Sequence, residues 1–110
     1  RMEEGEQHVR RALELDPDYV LARANLAALE IARQNLSAAH ELLDPLAQKI
    51  DFSLEDVIAY LRVRADLALA DGDPTSAEVL FQCILAFDPE NQLARERLTA
   101  LARSTPARVE

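Results

Sequence analysis

The sequence predicts an all-α chain of about six helices. Three observations carry that reading. Ala, Leu, Glu and Arg dominate, aromatic residues make up only 5%, and 110 residues contain two glycines, a composition that favours helix over strand. Apolar residues recur every three or four positions within successive segments, which makes one stripe along a helix. Short breaks carrying Pro, Gly, Asp, Asn or Ser separate those segments.

Residues 2–15 begin sparsely and then gather Val9, Ala12, Leu13 and Leu15 into a stripe. Gly5 weakens the first turn, at a cost of about 1 kcal/mol relative to alanine. Asp16-Pro17 ends this helix, because proline cannot donate back into it. Residues 20–33 are apolar nearly all round, interrupted only by Arg23, Asn25, Glu30 and Arg33. Such a helix must be covered on more than one side, so it belongs in the middle of a stack.

Gln34-Asn35 is the next break, with Asn35 suited to cap the third helix. That helix carries Leu36, Ala39, Leu42, Leu43, Leu46 and Ile50 in one phase. Pro45 removes a backbone bond inside it, and the unbroken phase predicts a kink rather than a stop. Ser53 with Asp56 resembles a capping box and opens a helix that runs to about Ala70. Asp71-Gly72 ends that one. In residues 72–89, Asp73 caps, Pro74 suits a first helical position, and Ala77, Leu80, Phe81, Ile84 and Leu85 form the stripe before Asp88-Pro89. A last helix over 91–103 sets Leu93, Ala94, Leu98, Leu101 and Ala102 against Arg95, Glu96, Arg97 and Arg103. Residues 104–110, with Pro106, read as a flexible tail.

A formal net charge of -8 speaks against nucleic acid or an anionic membrane surface as partner, since both reward positive fields. No apolar run reaches the roughly 20 residues that span a bilayer, so membrane insertion is not expected. Cys83 is the only cysteine, which rules out an internal disulfide and suits a cytoplasmic, reducing setting. A chain opening on Arg1 reads as part of something longer. His8 and His40 read as lone surface histidines, Cys83 as a packing thiol beside Ile84, and Glu3, Glu4 and Glu6 as acids favourably placed at a helix start. No metal site, cofactor motif, glycine-rich phosphate loop or nucleophile elbow is present. The best polar pair is Asp66 with Arg62, so an enzyme is not expected.

The segments repeat. Ala12 and Leu46 hold the same place in two helices 34 residues apart, and Ile84 comes after a further 38. A helix-turn-helix unit of about 34 residues is the period of tetratricopeptide arrays. Ala27 and Ala65 stand as the small residue in mid first helix, Ala39 and Ala77 as the small residue early in the second, Leu43 and Phe81 as the large residue one turn later, and Asp16-Pro17 and Asp88-Pro89 as repeat ends. At these residues the chain resembles the tetratricopeptide repeat family. It departs from that pattern at Arg23 and Leu61, where a large aromatic is usual, and at Arg64, where leucine is usual.

The resemblance implies a right-handed α-α superhelix of helical hairpins. Its parts would be the second helix of a truncated repeat (1–17), a repeat (18–50), a repeat with a short insertion (51–89), a capping helix (90–103) and the tail. It further implies a concave groove, lined by the first helix of each pair, that holds a peptide or helix of a partner protein. Leu21, Asn25, Ala28 and Ile31, then Arg62, Val63 and Asp66, then Arg97 would face it, with Ala24, Ala59, Leu69, Leu93, Glu96 and Ala100 extending the surface. Arg62 and Arg97 could meet acidic groups of a ligand, or pair internally with Asp66 and Glu96. Asn25 occupies the place of an asparagine that holds a terminal carboxylate in chaperone-binding members. Ala59 and Val63 replace its basic companions, so no carboxylate clamp is implied. The alternative roles are self-association through exposed solenoid ends, as a homodimer or assembly scaffold, and regulation of a larger protein.

Overall fold

In the computed structural model the described residues are 2–49 and 51–104. They form six α-helices and no strand: α1 (Met2–Leu15), α2 (Val20–Ala32), α3 (Leu36–Leu43), α4 (Leu54–Ala70), α5 (Pro74–Phe87) and α6 (Gln92–Ser104), with a 3-10 turn at Asp44–Gln48. Each helix packs on the next in sequence, and α2 also packs on α4. Links this short between helices lying side by side reverse the chain at every step. The result is an elongated body of 52 × 28 × 26 Å. As its nearly all-round apolar sequence requires, α2 is covered by α1, α3 and α4 and buries Val20, Ala22, Ala24, Leu26 and Ala27.

The core is divided in two. Val20, Ala24 and Ala27 of α2 meet Ala39, Leu43 and Leu46 and the α4 residues Val63 and Leu67. On the other side of α4, Ala65 meets Ala77, Phe81 and Ile84 of α5 and Ala94 of α6. Residues 63 and 67 are one turn apart and residue 65 projects from the opposite side, so one helix serves both clusters. Residues 38 apart bury alike: Ala27 and Ala65, Ala39 and Ala77, Leu43 and Phe81, and Leu46 and Ile84 are all at most 2% exposed. The alanines let helix backbones approach closely, and a larger side chain there would force them apart. Burial of Leu43 or Phe81 contributes about 1.5–3 kcal/mol each.

Helix ends obey backbone accounting. At the end of α2, Gln34 N–H donates to Ile31 O (2.9 Å) and Asn35 N–H to Glu30 O (2.8 Å); at the end of α4, Gly72 donates to Leu69 O (3.1 Å) and Asp73 to Ala68 O (2.8 Å). Both are Schellman closures, with the pivot residue left-handed at φ 65 for Gln34 and 80 for Gly72. Ser53, Asp73 and Asn91 accept from the backbone N–H three residues on, as capping requires. Asn35 stands at the α3 start but makes no side-chain cap bond. The kinked α-helix expected through Pro45 is not what forms: α3 ends at Leu43 and the chain tightens into the 3-10 turn. Pro45 has no N–H to continue the ladder, and a 3-10 turn keeps Leu46 buried without that bond. Ile50 and residues 105–110 lie outside the described residues.

Two arginines do the same work 72 residues apart. Arg23 Nε donates to Pro17 O, and Arg95 Nε donates to Pro89 O. Arg23 also donates from Nη1 to Leu42 O at 2.9 Å, satisfying a carbonyl in the last turn of α3. The sequence carries the signal twice, as Asp16-Pro17 followed by Leu21-Ala22-Arg23 and as Asp88-Pro89 followed by Leu93-Ala94-Arg95. Arg64 in turn lies over the Tyr60 ring, 5.4 Å from its centroid, donates to Tyr60 Oη at 3.0 Å and pairs with Asp44 at 2.8 Å. A guanidinium at a position expected to be leucine is tolerated because its charge finds partners at the edge of the core.

α1 is tied to α2 by a carboxylate shared between two arginines. Glu6 accepts from Arg33 Nη2 at 2.7 Å and Nη1 at 3.0 Å, and from Arg10 Nη2 at 2.9 Å. Those bonds, led by Arg33, hold the Glu6 carboxyl down at about 2, from an ordinary 4.5. A depressed carboxyl stabilises the fold above its unfolded pKa and loses that contribution as pH falls through the folded one. Glu6→Gln is therefore expected to be less stable than the parent at neutral pH, with the difference closing between 4.5 and about 2, as urea melts across that range would read. Gly72→Ala is expected to cost about 1 kcal/mol and Gln34→Gly to gain about 0.5–1 kcal/mol, because a Cβ is strained at positive φ. Urea denaturation midpoints of the two single variants check both signs.

Candidate functional site

The residues that the sequence assigns to a groove face stand on α2, α4 and α6; α2 packs on α4, and an Arg97–Asp66 pair links α4 to α6. α4 has two apolar sides committed to the two cores, so what remains for solvent on this face is the polar stripe of Arg62 and Asp66. On α2, Asn25 is exposed and Leu21 is half-buried; Ala28 and Ile31 are half-buried and also pack on the first core. Val63 does not belong to the face. It is 0% exposed, packed among Val20, Leu43 and Leu67, so no ligand reaches it. The reason is that α2 and α3 pack on the Val63 side of α4, whereas Asn25 of α2 is exposed. Ala24 is likewise buried.

The structure brings Asp66, Arg97 and Arg62 together. Arg97 Nη1 lies 3.5 Å from Asp66 Oδ1, linking α4 to α6. The internal partner of Arg97 is thus Asp66, not the adjacent Glu96. Arg62, one turn before Asp66, acts on it through its charge. Burial lifts the Asp66 carboxyl above its ordinary value, and Arg97 and Arg62 only partly oppose this. The face therefore carries two guanidinium groups around one half-buried carboxylate, beside the apolar and amide surface of α2.

The other side of the stack holds what the sequence reading missed. His40 Nε2 is 2.8 Å from Asp71 Oδ2, and Nδ1 is 3.7 Å from Asp44 Oδ1, so this histidine bridges α3 to the end of α4 rather than standing alone. The signal was Asp44, four residues along. An open cavity of about 290 Å³ lies here, lined by His40, Arg64, Leu67 and Leu80 among others. Among the described residues no group of three or more His, Cys, Asp or Glu side chains could hold a metal ion. Cys83 is half-buried and free.

No protein-family model, curated protein or solved structure matches this chain.

A carboxyl raised by burial favours the fold at low pH and loses that contribution as pH rises through its folded pKa. Asp66→Asn keeps the shape without the charge. It is expected to be more stable than the parent at neutral pH, by no more than about 1 kcal/mol, with the advantage gone at about pH 3. Urea melts at the two pH values decide it, and a loss at neutral pH would mean that the Arg97 pair outweighs desolvation.

Proposed function

We propose that this chain is a tetratricopeptide-type interaction module, a right-handed superhelix of helical hairpins whose α2–α4–α6 face holds a peptide or helix of another protein. The observation that carries the reading is the pairwise burial at 38-residue spacing: small residues at Ala27, Ala65, Ala39 and Ala77 and large ones at Leu43 and Phe81 sit where such hairpins need them. With two cores in series rather than one centre, Leu21 and Asn25 of α2 fall in neither cluster. Apolar surface beside a few convergent polar groups suits an amphipathic segment.

Self-association through the ends finds less support. The open surface of α6 is lined by Glu90, Gln92, Arg95, Glu96, Thr99, Ala100 and Arg103, and that of α1 by Glu4, Gln7, His8, Arg10, Arg11 and Glu14. Polar outer faces are those of capping helices. Among the described residues no helix is long and apolar enough to cross a membrane. The proposed setting is the cytoplasm, where the lone Cys83 thiol would stay reduced.

Selection of a displayed random-peptide library on the chain, followed by fluorescence anisotropy of the enriched peptides, tests the groove. Leu21→Glu with Asn25→Glu, two positions outside both cores, is expected to weaken those peptides at least about tenfold while the far-UV helical signal stays unchanged. Peptides bound equally well by parent and variant, or a library that yields none, would count against the reading.

A further inference from the structure

Because the helices alternate in direction, the connections 16–19, 51–53 and 88–91 lie along one edge of the stack, and 33–35 and 71–73 along the other. The two edges differ. Among the described residues five large apolar side chains are exposed, and four of them flank the first set of connections: Leu15 at 84%, Leu54 at 57%, Phe87 at 53% and Tyr19 at 43%. The fifth, Val79, lies within α5. Single exposed apolar residues are ordinary. Four on one edge and none on the other is an asymmetry that helix packing does not require.

The same edge is acidic. Asp16, Asp18, Asp51, Glu55 and Glu90 are exposed along it. Three basic groups lie nearby: Arg23 holds the Pro17 carbonyl, Arg95 holds the Pro89 carbonyl and pairs with Glu90 at 3.4 Å, and Lys49 Nζ pairs with Asp51 at 3.1 Å, so the five acids outnumber them. The charges of Asp18 and Asp56 also act on Lys49.

We propose that this edge is a second docking surface, taking a segment of a partner protein in which apolar side chains alternate with Lys or Arg. Charge complementarity fixes the occupant. A second copy would set acid against acid, and an anionic lipid surface would be repelled. The proposal is independent of the concave face, which lies on the sides of α2, α4 and α6 rather than at their starts.

The probe is a fluorescein-labelled amphipathic peptide of Leu and Lys. Its controls are a Ser-for-Leu version of equal charge and a Glu-for-Lys version with the same apolar pattern. Two edge variants are compared with the parent, Leu15→Ser/Leu54→Ser/Phe87→Ser and Asp18→Asn/Glu55→Gln/Glu90→Gln, together with the groove variant Leu21→Glu/Asn25→Glu. The Leu/Lys peptide is expected to bind the parent and the groove variant alike, and to bind each edge variant at least about tenfold more weakly. Both control peptides should bind the parent weakly by the same measure. Edge variants are altered only at exposed positions and should keep the parent's circular dichroism. Absence of binding, equal binding of the Ser/Lys peptide, or undiminished binding to the edge variants overturns the proposal. Loss confined to the groove variant would move the peptide to the concave face, overturning the edge assignment while leaving the proposed function standing.

Discussion

The arrangement rests on one helix being apolar on two sides. α4 sends Val63 and Leu67 into one cluster and Ala65 into the other, so the two hairpins it joins cannot close around a common centre. Its remaining surface is narrow and polar, Arg62 and Asp66 on one flank and Arg64 and Asp71 on the other. The location of every candidate site is a consequence of that division. The flank beside α2 and α6 carries the face proposed for a peptide, and the flank beside α3 carries the network of His40, Asp44 and Arg64.

The ends of the helices are held by a small set of devices used more than once. Left-handed pivots close α2 and α4, carboxylate, hydroxyl and amide caps open three of the later helices, and an arginine six residues after each Asp-Pro proline ties the turn to the helix it begins. Each satisfies backbone groups that would otherwise be left without a partner in a structure whose links are short. Repetition of these local solutions, as much as the apolar stripes, makes successive units alike.

Much of this was legible in the residues alone. Helix number, every break but the one at Pro45, the cover over α2 and the pairing of small with large residues at 38-residue spacing all depend on local chemistry and periodicity, which a sequence displays directly. Besides the His40–Asp71 bridge, three things were not. The stripe through Leu46 is the same whether Pro45 kinks an α-helix or starts a 3-10 turn, because both keep that side chain on the core side. Val63 shares its register with Asn25, which suggests the groove, but α2 and α3 cover that side of α4 and bury it. The partner of Arg97 lies 31 residues away, and no spacing rule within one helix points across to Asp66. The doubled Asp-Pro and Leu-Ala-Arg pattern was visible, but its meaning, a side chain bonding back to a turn, needed the geometry.

Since, among the described residues, α4 is the one helix that contributes buried residues to both clusters, the molecule resembles a zip fastened at its middle. α1 or α6 can peel away while both clusters persist in the main, whereas lifting α4 dissolves the pair at once. Melting from the outside inward is the order such a shared wall imposes.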